Sequence, residues 1–249
     1  MIRTPADLAG RRLLVPRRSE ASIDFWAAST FKVYESALAS ANLTLADVDL
    51  VEVYGDVHRI FDAATATDEG RRRWNLHDRN SFARAILGPL VRGEVDAVTT
   101  QGPMGKQIAA ITGARRVYEQ TEEVDPGRLA NNGNPDLLTV SGTLVDEQPD
   151  HVAAVIRVLL EASAWDRDNP ESTVDLFSRR LQTPAVELTL GYRDIPTHLG
   201  ISLPDHTVAV LDAQQDFLVS QGFVANRFDL GTWIDSRPLQ LARTQLTPG

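Results

Sequence analysis

Two clusters in the 249-residue chain combine side chains and placement suited to holding a small anion. The first is Arg17-Arg18-Ser19, with Ser22 just beyond. It lies between an apolar strand pattern and a helical pattern. A guanidinium grips an oxyanion bidentately, and the free N–H groups at a helix start favour negative charge. Arg17, Ser19 and Ser22 are therefore candidate ligand-binding residues, with a solvated basic turn and a serine cap as the plainer alternative. The second cluster is Thr99-Thr100-Gln101-Gly102-Pro103, at another strand-to-helix turn. Thr99, Thr100 and Gln101 carry hydrogen-bonding groups, and Gly102 lets a ligand approach the backbone. Trp74 is a candidate lid over an aromatic ligand, or an anchor for its own loop. His58 and His77 lack the spacing and the supporting carboxylate of a metal site. No metal ligand, catalytic residue or cofactor is expected, and no P-loop, GxSxG or GxGxxG pattern stands out.

Composition narrows the classes. Hydrophobic residues make up 43% and charged residues 24%, the balance of a soluble globular protein. Lys+Arg is 25 against Asp+Glu 34, a net charge of −9, which argues against a nucleic-acid partner held by bulk electrostatics. Lys32 and Lys106 are the only lysines, so arginine dominates the basic residues. Cysteine is absent, which excludes disulfides, Cys-ligated metals and a thiol nucleophile from this chain. No apolar run approaches bilayer length. The first residues lack the apolar core of a secretion signal, so the expected location is cytoplasmic as written, and extracytoplasmic if the true N-terminus lies upstream.

The elements that must position these clusters follow from periodicity. Leu13-Leu14-Val15 and Asp49 to Tyr54 read as strands. Phe25 to Ala41 reads as a helix with Phe25, Ser29, Val33, Ala37 and Ala41 on one stripe. Ser81 is positioned to cap a helix that turns Phe82, Ile86 and Leu90 inward and stops at Gly93. Ala97 to Thr100 is a short buried strand. Pro103 opens a helix that ends at Gly113, and Val117-Tyr118 is a fourth strand. This alternation implies a parallel sheet covered on both faces, an α/β lobe over residues 1–136. Residues 137–249 read as a mainly helical remainder. One strand is expected at Leu137 to Leu144. Helices follow at Pro149 to Asp168, after Asn169-Pro170, after Thr183-Pro184 and over Pro204 to Gln221, and Asp229 caps the last.

The order of motifs resembles the solute-binding proteins of ABC importers of the sulfonate, taurine and nitrate type, which have the two-lobed periplasmic-binding type II fold. Pro5 to Arg12 is similar to the family's "DLxGKk" opening of the second lobe, and Leu45 to Val51 to its "LxDVxlv" strand. Leu90 to Ala97 is similar to its "GevDA" helix end and strand, and Gln148 to Trp165 to its "hPdlv…AxxW" helix. Leu218 to Phe223, Asp229 and Trp233 resemble its closing helices. An enzyme offshoot, the hydroxybiphenyl sulfinate desulfinases, is closer in layout. The long Gly55 to Asn80 insertion and Trp165-Asp166-Arg167-Asp168 both resemble it.

The resemblance implies a binding module that takes a small organic anion, an organosulfur compound or an aromatic acid, with an importer permease as partner. The alternative it implies is a desulfinase-like carbon–sulfur hydrolase, or part of one. In the resembling enzymes the nucleophilic cysteine and its His and Arg helpers precede the segment matched here, so none carries over. The helical remainder is then an incomplete lobe. Its stripes at Val152, Val155, Ile156, Leu159, Leu160 and at Val208, Leu211, Leu218 need a partner surface. They are expected to close as a bundle, to pair in a homodimer, or to await a segment of a longer protein. The last is expected first.

Overall fold

A computed structural model describes residues 1–18, 23–54, 85–131, 135–181, 183–192, 195 and 199–246. These fall into two compact units. The first comprises Met1–Pro135 with Ala213–Asn226, and the second Asp136–Asp212 with Arg227–Gly249.

The first unit is built on strand β1 (Arg12–Arg17), which pairs in parallel with β2 (Asp49–Tyr54) in the register Arg12 to Asp49 through Arg17 to Tyr54. Ala97 adds a third parallel position through a single bridge to Leu13. β1 is thus the central strand, and Leu13, Leu14 and Val15 are fully buried. Its side chains alternate between two faces, as a strand's must. Leu13 and Val15 pack with Leu8, Ala27, Tyr34 and Leu38. Leu14 packs with Ile86, Val95 and Ile108. Each such side chain removed from water contributes about 1.5–3 kcal/mol. The helix Phe25–Ala39 therefore covers one face, and helical residues 85–91 with the helix Gly102–Thr112 cover the other.

Local chemistry sets the element ends. Asp24 caps the Phe25–Ala39 helix, accepting the Ala27 N–H at 3.1 Å. Gly113 ends the Gly102–Thr112 helix in the left-handed conformation (φ 69°), which favours a residue without Cβ. Arg12 donates through Nε (3.1 Å) and Nη2 (3.0 Å) to Asp96, which also accepts the Arg12 N–H at 3.0 Å. That fork ties the start of β1 to the residue before Ala97 and holds the Asp96 carboxyl below its usual range.

The strand expected over Ala97 to Thr100 shrinks to one bridge, for two reasons at β1. In a parallel ladder the next donor after Leu14 on this side is residue 16, and Pro16 has no N–H. The Leu14 carbonyl, which would accept the next bond, instead accepts the Tyr34 hydroxyl at 2.7 Å. Val117-Tyr118 is not a strand but precedes a 3-10 turn at Gln120–Glu122. The Phe25–Ala39 helix is also buried more widely than one stripe: Trp26, Ala28, Ser29, Thr30, Lys32, Ser36 and Ala37 are all covered, while Phe25 is exposed.

In the second unit the helices Pro149–Asp168, Pro170–Leu181 and Ala185–Tyr192 occupy the expected places. The Leu137 to Leu144 strand does not form. Ser141 caps a short helix, Gly142–Glu147, by accepting the Leu144 N–H at 3.2 Å. Asp229 caps Leu230–Trp233 as expected. The core joins Val152, Ala153 and Ile156 to Ala242 of the helix Arg237–Leu246. Val155 and Leu159 of the same stripe remain 55% and 37% exposed. Among the described residues, no helix is long and apolar enough to cross a membrane.

Candidate functional site

β1 and the Ala97 position run parallel, so the chain leaves both at the same edge of the sheet. In open parallel sheets, ligands gather at that carboxyl edge. Arg17 lies at the end of β1, and Thr99 to Gly102 follow Ala97. Ser19, Ser22 and Trp74 lie outside the described residues.

Arg17 already faces two carboxylates. Its Nε donates to Asp24 Oδ2 at 2.8 Å and its Nη1 to Glu52 Oε1 at 2.7 Å. Asp24 Oδ2 also accepts the Arg18 N–H at 3.0 Å. One carboxylate thus joins the end of β1 to the first turn of the next helix, and Arg17 serves this junction first. Arg18, taken from the sequence as part of a solvated basic turn, is instead buried. Its guanidinium lies 5.2 Å from the Phe25 ring centroid and 5.3 Å from that of Trp26. Stacking flat on aromatic faces suits the planar guanidinium of arginine better than the ammonium of lysine.

The Thr99 to Gly102 turn hangs from one face of the Phe25–Ala39 helix. The Thr30 and Thr99 hydroxyls are 3.0 Å apart. Tyr34, one turn further along, bonds the Thr99 backbone as well as the Leu14 carbonyl. Its phenol therefore sits as a wedge where two strands would otherwise pair. Burial pushes that phenol above its usual range, so it remains neutral and a donor. Gln101 Nε2 reaches Ser29 Oγ at 3.5 Å, a long bond that leaves the amide at the surface. Gly102 takes a positive φ of 48°, the backbone reason for glycine there. Thr99, Thr100, Gln101 and Gly102 thus follow the Ala97 bridge at the carboxyl edge of the sheet.

On the same Phe25–Ala39 helix, a polar network also joins Ser29 and Ser36 to the 120–131 segment. Asn131 Nδ2 donates to the Ser29 carbonyl (3.3 Å) and to Gln120 Oε1 (2.7 Å). Gln120 Nε2 donates to the carbonyls of Arg128 (2.8 Å) and Ala130 (3.2 Å). Ser36 donates to the Arg128 carbonyl at 3.0 Å. Glu123 accepts the Tyr118 hydroxyl at 2.9 Å and pairs with Arg128 at 3.2 Å. From the Phe25–Ala39 helix this network takes the Ser36 hydroxyl and the Ser29 carbonyl, joined across 92 and 102 residues of chain. Among the described residues, no group of three or more His, Asp or Glu side chains is placed to hold a metal ion.

A parallel sheet covered by helices on both faces is an α/β fold, similar to the periplasmic-binding type II arrangement of the solved sulfonate-binding structures. The solved structures similar to this chain divide between an enzyme and binding proteins. One is the desulfurization enzyme DszB, as a variant in complex with biphenyl-2-sulfinic acid. It matches at 21% identity and TM-score 0.69, over 98% of this chain and 73% of its own. Another is the periplasmic aliphatic sulphonate binding protein SsuA from Escherichia coli, at 15% identity and TM-score 0.56, over 94% and 61%. The alkanesulfonate-binding protein SsuA from Xanthomonas axonopodis pv. citri bound to MOPS matches at 15% identity and TM-score 0.52, over 94% and 65%. At these identities the likeness is one of fold. No protein-family model and no curated protein sequence matches the chain.

Proposed function

We propose that the protein is a solute-binding module that holds a small organic anion, an organosulfur compound or an aromatic acid, at the carboxyl edge of its parallel sheet. The observation that carries this reading is the Thr99 to Gly102 turn. Tyr34 wedges it away from β1, and Thr30 and Ser29 tether it, while the Gln101 side chain stays exposed at the head of an 11-residue helix. Neutral donors at a helix start suit an anion. Two structures of the same fold hold ligands of this kind, biphenyl-2-sulfinic acid in one and MOPS in the other. Capture and release, without chemistry, is the proposed action.

The proposed partner is an importer permease, which would place the protein outside the cytoplasm; without one, a cytoplasmic binder is the reading. The exposed Val155 and Leu159 face is the proposed contact of a homodimer, to be checked by light scattering.

A second reading is a desulfinase-like hydrolase of a carbon–sulfur bond. The fold match to DszB, at TM-score 0.69 against 0.56 for SsuA, favours it. These 249 residues hold no cysteine, so a thiol nucleophile for such a reaction would have to come from outside them. Thermal shift across alkanesulfonates, aryl sulfinates and aromatic carboxylates tests both. A ligand at one hundred times its dissociation constant stabilises by about 2.7 kcal/mol, a shift of several degrees. Stabilisation without turnover supports the binder. Sulfite release from an aryl sulfinate supports the enzyme. No shift with any of the three classes at millimolar concentration would sink the proposed site.

A further inference from the structure

We infer that Gly105 is a positioning residue for the anion site: by lacking a side chain it leaves room for the direction the Thr100 hydroxyl takes, which any larger residue would exclude. The inference rests on the binding reading above. Gly105 lies inside the Gly102–Thr112 helix, where glycine is among the least favoured residues. The usual reason for tolerating one is absent. Gly10, Gly93 and Gly113 have positive φ, and a Cβ on any of them would meet nothing within 4 Å. Their glycines answer to the backbone. Gly105 does not share that backbone conformation. Instead, a Cβ there would overlap the Thr100 hydroxyl and approach Thr100 Cβ to 3.2 Å.

The overlap falls on the chemically active end of a stiff side chain. Threonine is branched at Cβ, so rotating its hydroxyl away from residue 105 either brings the methyl into the same space or swings both groups off the helix. The absent side chain at 105 therefore admits the observed Thr100 rotamer, which a Cβ at that position would exclude. That rotamer lays the hydroxyl against the first turn of the helix, beside the exposed Gln101 and one residue after the Thr99 held by Thr30 and Tyr34. The backbone of the turn is fixed from one side by the Phe25–Ala39 helix, and the Thr100 hydroxyl is accommodated on the other by the gap at Gly105.

The test uses the full chain and four forms: wild type, Gly105→Ala, Thr100→Ala and the double variant. Calorimetric titration with biphenyl-2-sulfinate and with 1-octanesulfonate gives the affinities. The Thr100 Hα–Hβ coupling in nuclear magnetic resonance spectra gives the rotamer without ligand. Gly105→Ala is expected to change that coupling, to weaken the bound probe about tenfold and to leave the melting temperature unchanged or raised. In the Thr100→Ala background the same substitution should weaken binding no further. An unchanged Thr100 coupling in Gly105→Ala overturns the inference by itself. So does a tenfold loss that persists in the double variant, because glycine would then act through something other than Thr100. If wild type binds neither probe, the binding reading falls and the inference with it.

Discussion

Tyr34 and Leu14 are joined by a buried hydrogen bond, the phenol donating to the carbonyl across 2.7 Å. The carbonyl belongs to the central strand and would otherwise serve the sheet. Removing the hydroxyl leaves both the Leu14 carbonyl and the Thr99 backbone short of a partner. Tyr34→Phe should destabilise the protein by about 1–3 kcal/mol, the cost of orphaned buried groups. Urea unfolding measures it. A change below a few tenths of a kcal/mol would mean the strands close up and repair the loss.

The same phenol gives an alkaline signature. Its pKa is raised by burial, and then the Thr99 bond pulls the other way. In the unfolded chain it titrates near 10. A group whose folded pKa is raised contributes stability that is fully present below the unfolded value and is lost as pH rises beyond it. Stability should therefore fall above about pH 10, and less steeply in Tyr34→Phe. Tyr118, raised by burial and by Glu123, adds to the same slope and remains in that variant. Absorbance at 295 nm should show Tyr34 ionising only with unfolding. Early ionisation of all four tyrosines would contradict the buried geometry.

Asp24 carries three bonds at once: to Arg17 Nε, to the Arg18 N–H and to the Ala27 N–H. Asp24→Ala should cost about 2 kcal/mol, more than an isolated cap, because the junction between strand and helix goes with it. Asp24→Asn keeps the cap and loses the ion pair, so it should recover about half. Equal losses in the two variants would show that the charge, not the cap, matters.

The Pro149–Asp168 helix offers an internal contrast. Val152 is buried and Val155 is 55% exposed, three residues apart on one stripe. Val152→Ala should cost about 1–2 kcal/mol, and Val155→Ala less than 0.5 kcal/mol in the monomer. Chemical denaturation at low protein concentration compares them. A large cost at Val155 that grows with concentration would reveal a partner chain on that face.

The outlines of the fold were legible because their signals are local. Strand β2 and the Pro149–Asp168 helix begin and end where periodicity, proline and capping residues put them. What was not legible depended on neighbours. Leu137 to Leu144 is apolar enough for a strand, but a strand needs a hydrogen-bonded partner and Ser141 offers its backbone a helix cap instead. The site was legible as a place, the Thr99 to Gly102 turn, and not as a mechanism. Nothing in the spacing of Tyr34, Ser29 or Thr30 shows that they hold that turn, because the bonds span 69 and 72 residues of chain. Gln120 and Asn131 are silent in the sequence for the same reason, since their bonds to the Phe25–Ala39 helix span 84 and 102 residues.

The first unit is assembled from two stretches of chain that are far apart in synthesis. Phe217 lies over the Lys32 ammonium at 4.8 Å from its ring centroid, and Phe223 packs on Phe31 with centroids 6.1 Å apart. Both aromatic residues belong to Ala213–Asn226. On the ribosome, where domains otherwise close as they emerge, Phe31 and Lys32 must wait uncovered until the chain has been made past residue 223. During that interval the helix that bears Ser29, Thr30 and Tyr34 stands with one side open to chaperones, proteases and other nascent chains.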